Sequence, residues 1–205
     1  MQLIVISKDI IFPGEATWLN EMISNYNFTL HLRKPQASES EIEELLLQID
    51  KQFYKRIVLH DNYILADKFN LMGIHINARN RGIPTNGVYW SRCSISRSCH
   101  SIQEVEKYKD SYSYVTLSPI FNSISKQGYN SAFTKSDLKC AAEKGVIDNK
   151  VIALGGISSL NIAQIRNMGF GGAAVLGAIW NQSNIHSALT ELNKLTDIKV
   201  DSYGK

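Results

Sequence analysis

The 205 residues suffice for one domain with a sizeable core, and 44% hydrophobic against 20% charged residues is the balance of a globular chain. A net charge of +3 is too small to argue for nucleic acid or an anionic membrane surface, and no stretch approaches the ~18 apolar residues of a membrane span. Cys93, Cys99 and Cys140 have no metal-ligand spacing and read as reduced thiols of a cytoplasmic protein, while the opening Met1-Gln-Leu-Ile-Val-Ile-Ser lacks the basic region and cleavage site of a signal peptide.

Strand-length apolar runs alternate with helical periodicity along the whole chain. Residues 3–6 predict the first strand, and Trp18, Leu19, Met22 and Ile23 follow at helical spacing. Residues 28–32 predict the second strand. Ile42, Leu45, Leu46 and Ile49 then form an apolar stripe, with Ser38 and Glu41 as a capping box. The third strand falls at 56–60, a short helix at 63–69 and the fourth strand at 72–76. Gly82 and Pro84 argue against a long helix between Asn77 and Cys93. The fifth strand is predicted at 93–97, and Ser101 and Glu104 make a second capping box at the start of a helix. Residues 112–117 predict the sixth strand and 132–144 a helix. Residues 151–154 and 173–176 predict the last two strands. Leu160, Ile162, Ile165 and Met168 line the helix between them, and Ile185, Leu189, Leu192 and Leu195 line the final helix.

Eight strands alternating with helices predict an α/β fold, a TIM (β/α)8 barrel in a single domain over 1–196 with a polar tail at 197–205. A doubly wound sheet of six or seven strands is the alternative, and strand count favours the barrel.

In such a barrel the chemistry sits at the C-terminal ends of the strands. Those ends carry His31, Arg33 and Lys34; His60, Asp61 and Asn62; His75, Asn77 and Asn80; Ser98 and His100; then Ser118-Pro-Ile-Phe-Asn-Ser-Ile-Ser-Lys126. The last two exits carry Gly155-Gly156 and Leu176-Gly177. Arg33 clamps phosphate oxygens bidentately and Lys126 adds a compact charge. Glycine lets backbone N–H groups come close to a phosphate, and Asp61 suits a Mg²⁺ ion. Taken singly, Asp61 reads as a helix cap, His75 as a satisfied barrel histidine, Gly155-Gly156 as a tight turn and Cys99 as packing. Their joint placement points to a phosphate site. The loop 122–131, with Gly128, is long enough to close over it.

Several segments match a known pattern in order and spacing. Leu3-Ile-Val-Ile-Ser-Lys-Asp9 resembles a Leu-Tyr-Leu-Val-Thr-Asp strand, and His31-Leu-Arg-Lys-Pro35 a Gln-Leu-Arg-Glu-Lys motif. His60-Asp61 stands for Asn-Asp, and Gly73-Ile-His-Ile-Asn-Ala-Arg-Asn80 for Gly-Val-His-Leu-Gly-Gln-x-Asp. Ser96-Arg-Ser-Cys-His100, Ser118–Lys126 and Ala153-Leu-Gly-Gly-Ile157 complete the series. Over nearly its whole length the chain resembles thiamine phosphate synthase and its TenI-type thiazole tautomerase relatives.

The resemblance implies a transferase of thiamine biosynthesis. It would join hydroxymethylpyrimidine diphosphate to a thiazole phosphate and release pyrophosphate. It implies Arg33 and Lys126 on the diphosphate, Asp61 on Mg²⁺, and Ser98, Ser123 and Ser125 as hydroxyl contacts. His31 and His60 fall at substrate-binding positions, and Gly155, Gly156, Leu176 and Gly177 on the thiazole phosphate. The implied partners are small phosphorylated substrates, and the pattern leaves a homo-oligomer open. The departures lie at Pro35, in place of a lysine for which Lys34 is the substitute on offer, at Ala78, in place of a glutamine, and at Asn80, in place of the second Mg²⁺ carboxylate. Two alternatives stay open: a thiazole tautomerase using His31, His75 or His100 as acid–base, with Pro119 where that branch has its histidine, or a non-catalytic binder of thiazole or thiamine phosphate.

Overall fold

The computed structural model describes residues 1–80, 82–83, 88–122 and 131–197. Eight parallel strands close into a barrel in sequence order: β1 Gln2–Ile6, β2 Thr29–Leu32, β3 Ile57–Leu59, β4 Gly73–Ile76, β5 Ser94–Cys99, β6 Tyr114–Leu117, β7 Val151–Leu154 and β8 Gly172–Val175. The pairing of Leu3 with Ala173 closes the ring between β1 and β8. Around it run helices α1 Glu15–Asn25, α2 Glu39–Leu47, α3 Ile64–Lys68, α4 Ile102–Tyr108, α5 Lys135–Glu143, α6 Ile162–Asn167, α7 Gly177–Trp180 and α8 Ile185–Asp197. No helix among the described residues is long and apolar enough to cross a membrane. Asp197 lies inside α8, and 198–205 fall outside the described residues.

Period-two alternation divides each strand between two cores. Leu3, Val5, Leu30, Leu32, Ile57 and Leu59 face outward and pack with Leu19, Met22, Ile23, Ile42 and Leu46 in the large layer under the helices. Burying a side chain of this size contributes roughly 1.5–3 kcal/mol, so this outer layer carries most of the fold's stability. The barrel interior is smaller and split. Ile4, Ile6, Tyr114, Ile152 and Ala174 form an apolar cluster, with Leu154 and Leu176 against it. Toward the mouth the interior turns polar: His31 on β2, His60 just past β3, His75 on β4, Ser96 and Ser98 on β5 and Thr116 on β6, with Val58 the apolar inward residue of β3 and Tyr114 joining the two halves through His31.

Local chemistry sets the helix starts. Ser38 and Glu41 form the predicted reciprocal box at α2. At α4 only half of the predicted box forms. Ser101 accepts from the Glu104 N–H, while the Glu104 carboxylate takes the N–H of His100. Thr134 and Asp137 make a box that the sequence reading missed, and it starts α5 at Lys135 instead of 132. The fifth strand runs on to Cys99 because its ladder with β6 continues to the Cys99–Leu117 pair. Ser98 therefore lies within the strand and faces the interior. Among the described residues between β4 and β5 the one helical turn is the 3-10 turn Val88–Ser91. Helix α7, directly after β8, was not foreseen.

Candidate active site

The C-terminal mouth of the barrel gathers most of the described candidates. Its floor is a network of neutral imidazoles. His31 Nδ1 lies 2.9 Å from His60 Nε2, and His31 Nε2 lies 2.6 Å from the Tyr114 hydroxyl. His75 Nδ1 is 2.8 Å from Ser96 Oγ, and its Nε2 is 2.8 Å from Ser98 Oγ. Ser96 donates its one hydroxyl proton to the Ile74 carbonyl. It therefore accepts from His75 Nδ1–H, which leaves Nε2 to accept from Ser98. The register explains the grouping, since His75 pairs with Ser96 across β4–β5 and Ser98 with Thr116 across β5–β6.

All three histidines are buried. Burial pushes the pKa of His31 and His60 well below the ordinary imidazole range, and neighbouring charges add to it. The same effect, with a contribution from Arg79, puts His75 at about 3. The cluster is uncharged at neutral pH. The ligand atoms of the three lie within 4.8 Å of one another, the one such group of three or more potential metal ligands among the described residues. His60 and His75 stack with centroids 4.4 Å apart and planes 27° apart, and both ring nitrogens of His75 are taken up by Ser96 and Ser98. Beside this network the Thr116 hydroxyl is buried and has no hydrogen-bond partner. An orphaned buried hydroxyl costs about 1–3 kcal/mol.

A rim of charge covers the β2–β4 side. Arg33 is half-buried just beyond β2, its N–H on Ser7 Oγ at 2.9 Å. Burial and the nearby Arg79 lower its pKa, while Asp9 and Asp61 oppose that. Arg79 is a cation the sequence reading did not single out. Its Nη2 contacts both oxygens of Asp61, at 3.2 and 3.1 Å, and Asn80 Nδ2 donates to Asp61 Oδ1 at 2.6 Å. Asp61 is not a helix cap; α3 begins after Tyr63 with no side-chain cap.

Lys34 does not substitute for the missing lysine. It points away from the mouth into the base of the β1 loop, where Nζ meets the Glu15 carboxylate at 2.6 and 2.7 Å and the Lys8 and Ile10 carbonyls. Both partners are buried, which fixes Lys34 as a loop anchor. Arg33 and Lys34 part just beyond the end of β2, where Glu15 and the two carbonyls draw Lys34 into the β1 loop.

The opposite side of the mouth is built on glycines. Gly155 and Gly156 have φ of +100° and +63°, where side chains are strained. A Cβ on Gly155 would lie 2.8 Å from Pro119 Cα, and one on Gly156 would collide with the Asn122 carbonyl oxygen. The pair lets the β6 loop lie flat on the β7 exit, where Ile120 and Phe121 donate N–H groups to the Leu154 and Gly155 carbonyls. Leu176 precedes α7, and Gly177 is its buried first residue. Just past β5, His100 Nδ1 lies 3.2 Å from the Ser118 carbonyl oxygen. Burial raises the Cys99 thiol to about 12, so Cys99 is packing. Ser123, Ser125, Lys126 and Gly128 lie outside the described residues.

The profile of the thiamine monophosphate synthase family matches residues 2–179. The chain is 25% identical over 185 residues to a thiamine-phosphate synthase of Photorhabdus laumondii, covering 88% of this chain and 85% of that one. A thiamine-phosphate synthase of Latilactobacillus sakei is 27% identical over 161 residues, covering 77% and 71%. The crystal structure of a thiamine phosphate pyrophosphorylase from Bacteroides thetaiotaomicron is similar with a TM-score of 0.87 at 37% identity, over 97% of this chain and 99% of that one. A 3-hexulose-6-phosphate synthase, at 16% identity and a TM-score of 0.66, shares the fold.

Proposed function

Since this chain belongs to the thiamine monophosphate synthase family, we propose that it is a synthase-type transferase. It joins hydroxymethylpyrimidine diphosphate to a thiazole phosphate and releases pyrophosphate. One observation carries the reading. Cations on the β2–β4 side of the mouth face the glycine exits of β7 and β8 across a neutral polar floor. That arrangement suits two anionic groups held apart with two rings between them.

The transfer itself needs little from the protein. The thiazole nitrogen gives its lone pair to the pyrimidine methylene carbon, and the carbon–oxygen bond breaks with its electron pair leaving on diphosphate. No proton moves, so a site of neutral histidines and fixed cations suffices. Arg33 and Lys126 receive the departing charge. Ser98, Ser123 and Ser125 supply hydroxyl contacts, and His31 and His60 orient the pyrimidine ring. Gly155, Gly156, Leu176 and Gly177 form the thiazole-phosphate end.

The magnesium ion implied by the resemblance is not fitted by the residues at this corner. Both Asp61 oxygens are held by Arg79, one also by Asn80, and the second carboxylate is missing. The transfer as proposed uses the fixed cations of the rim and no metal. An isomerase would need an acid–base group titrating near the working pH. Burial argues against His31 and His75 in that role and leaves His100, beside the Ser118 carbonyl, as the candidate of that alternative.

The test is direct. Purified protein given both substrates should form thiamine phosphate and pyrophosphate in equal amounts. No product above background with both substrates saturating, with and without Mg²⁺, sinks the proposal.

A further inference from the structure

We propose that Arg79 stands in for a divalent cation at the diphosphate rim: its guanidinium, held in place by Asp61, is the positive charge that receives the phosphoryl oxygens. This rests on the synthase-type reading for the identity of the ligand. A corner of two carboxylates and one doubly charged ion is neutral. Here one carboxylate is replaced by Asn80, and Asp61 with Arg79 restores neutrality without the ion. The two changes compensate each other, whereas loss of the carboxylate alone would leave a weak metal site.

Geometry agrees. Mg²⁺ requires near-octahedral oxygen ligands at about 2.0–2.1 Å and gives up water reluctantly. Asp61 is instead satisfied by nitrogen donors on both oxygens, and only 12% of its side chain is exposed. Asn80 turns its donor group toward that carboxylate, the reverse of what a cation needs. Among the described residues Asp61 belongs to no group of three potential metal ligands.

The segment bearing Arg79 is built to stay in place. Asn77 Oδ1 accepts the backbone N–H groups of Arg79 and Asn80 at 2.9 and 3.2 Å, and Asn77 Nδ2 donates to the His60 carbonyl at 2.7 Å. The Tyr63 hydroxyl reaches the carbonyls of His75 and Asn80 at 2.9 and 3.1 Å. The loop is thus tied to the exits of both β3 and β4. A guanidinium carries five N–H donors, and the contact with Asp61 uses Nη2. The side chain is 42% exposed, which leaves it open to an oxyanion. Its field reaches the mouth, since it also lowers the pKa of Arg33, His60 and His75. Asp61 is then a positioning residue for the cation.

Calorimetry with inorganic pyrophosphate tests this on the intact protein. Wild type should bind pyrophosphate in EDTA, and saturating Mg²⁺ should change the affinity by less than about threefold. Replacing a charge-assisted, bidentate-capable donor should cost about tenfold or more in R79A, with R79K between the two. R79A combined with N80D should recover binding only when Mg²⁺ is added. Thermal melts confirm that each variant is folded, and R79K gives the result if R79A is not. Pyrophosphate binding that requires Mg²⁺ in wild type, no binding in any condition, or equal binding by R79A and wild type overturns the proposal. The synthase assay separates the two ideas. Product formed only with Mg²⁺ leaves the synthase reading standing and sinks the role of Arg79. Metal-free pyrophosphate binding lost in R79A, without product, does the opposite.

Discussion

Acid should destabilise this protein well above the pH at which carboxylates titrate, and the three buried histidines set the size of the effect. Each is uncharged when folded, with its pKa lowered from an unfolded value of 6.5. Below that value the unfolded chain binds protons that the folded chain cannot. Stability is therefore fully present above pH 6.5 and is lost as pH falls toward the folded values. Near pH 5.5 each histidine costs ~1.4 kcal/mol, so the three together cost at most ~4 kcal/mol, and each further unit costs a similar amount. A domain holding 5–15 kcal/mol in total would lose a large fraction of it. Glu15 works against the trend, because burial raises its pKa and the folded state then takes up a proton on acidification. Urea denaturation at pH 8, 6.5 and 5.5, followed by circular dichroism, reads the effect as a falling midpoint at constant slope. In H75Q the loss between pH 8 and 5.5 should shrink by about a third, and combining it with H31Q and H60N should remove most of it. A midpoint that does not move over this range, or an unchanged loss in the triple variant, would refute the reasoning.

Three further substitutions have defined outcomes. Glu15→Ala leaves the buried Lys34 ammonium without its carboxylate and should cost ~3–5 kcal/mol by urea denaturation; a cost under ~1 kcal/mol would mean the pair is solvated. Gly156→Ala combines a left-handed φ with a collision on the Asn122 carbonyl, whereas Gly169→Ala meets only the φ strain in open space. The first should therefore destabilise by more than the ~1 kcal/mol expected of the second, and equal melting temperatures would contradict the packing described. Thr116→Val removes an orphaned buried hydroxyl, so the protein should gain ~1 kcal/mol by urea denaturation. A loss of stability would show that this hydroxyl is not orphaned.

Strand order and helix alternation were readable because apolar period and turn chemistry are local properties of the chain. The predicted 151–154 strand matches Val151–Leu154, and the Ser38–Glu41 box forms as spelled. The edges that moved were set by partners. Cys99 joined β5 because β6 offered a ladder position, and α5 started where Thr134 found Asp137. The short helix α7 has too few residues to leave a periodic trace.

Residue chemistry at the strand ends was likewise legible, and it was enough to suggest a phosphate site and a family. What the sequence could not supply was which charges meet. Lys34 sits beside Arg33 in the chain, yet it is 19 residues from Glu15, the partner that takes it out of the mouth. Arg79 lies 18 residues from Asp61, and only the barrel brings them within 3.1 Å. The neutral state of His31, His60 and His75 is also tertiary, since it comes from burial inside a closed ring of strands. Local pattern fixed the architecture because backbone periodicity is written in neighbouring residues. The electrostatics of the site depend on desolvation and long-range pairing, and those exist only once the barrel has closed.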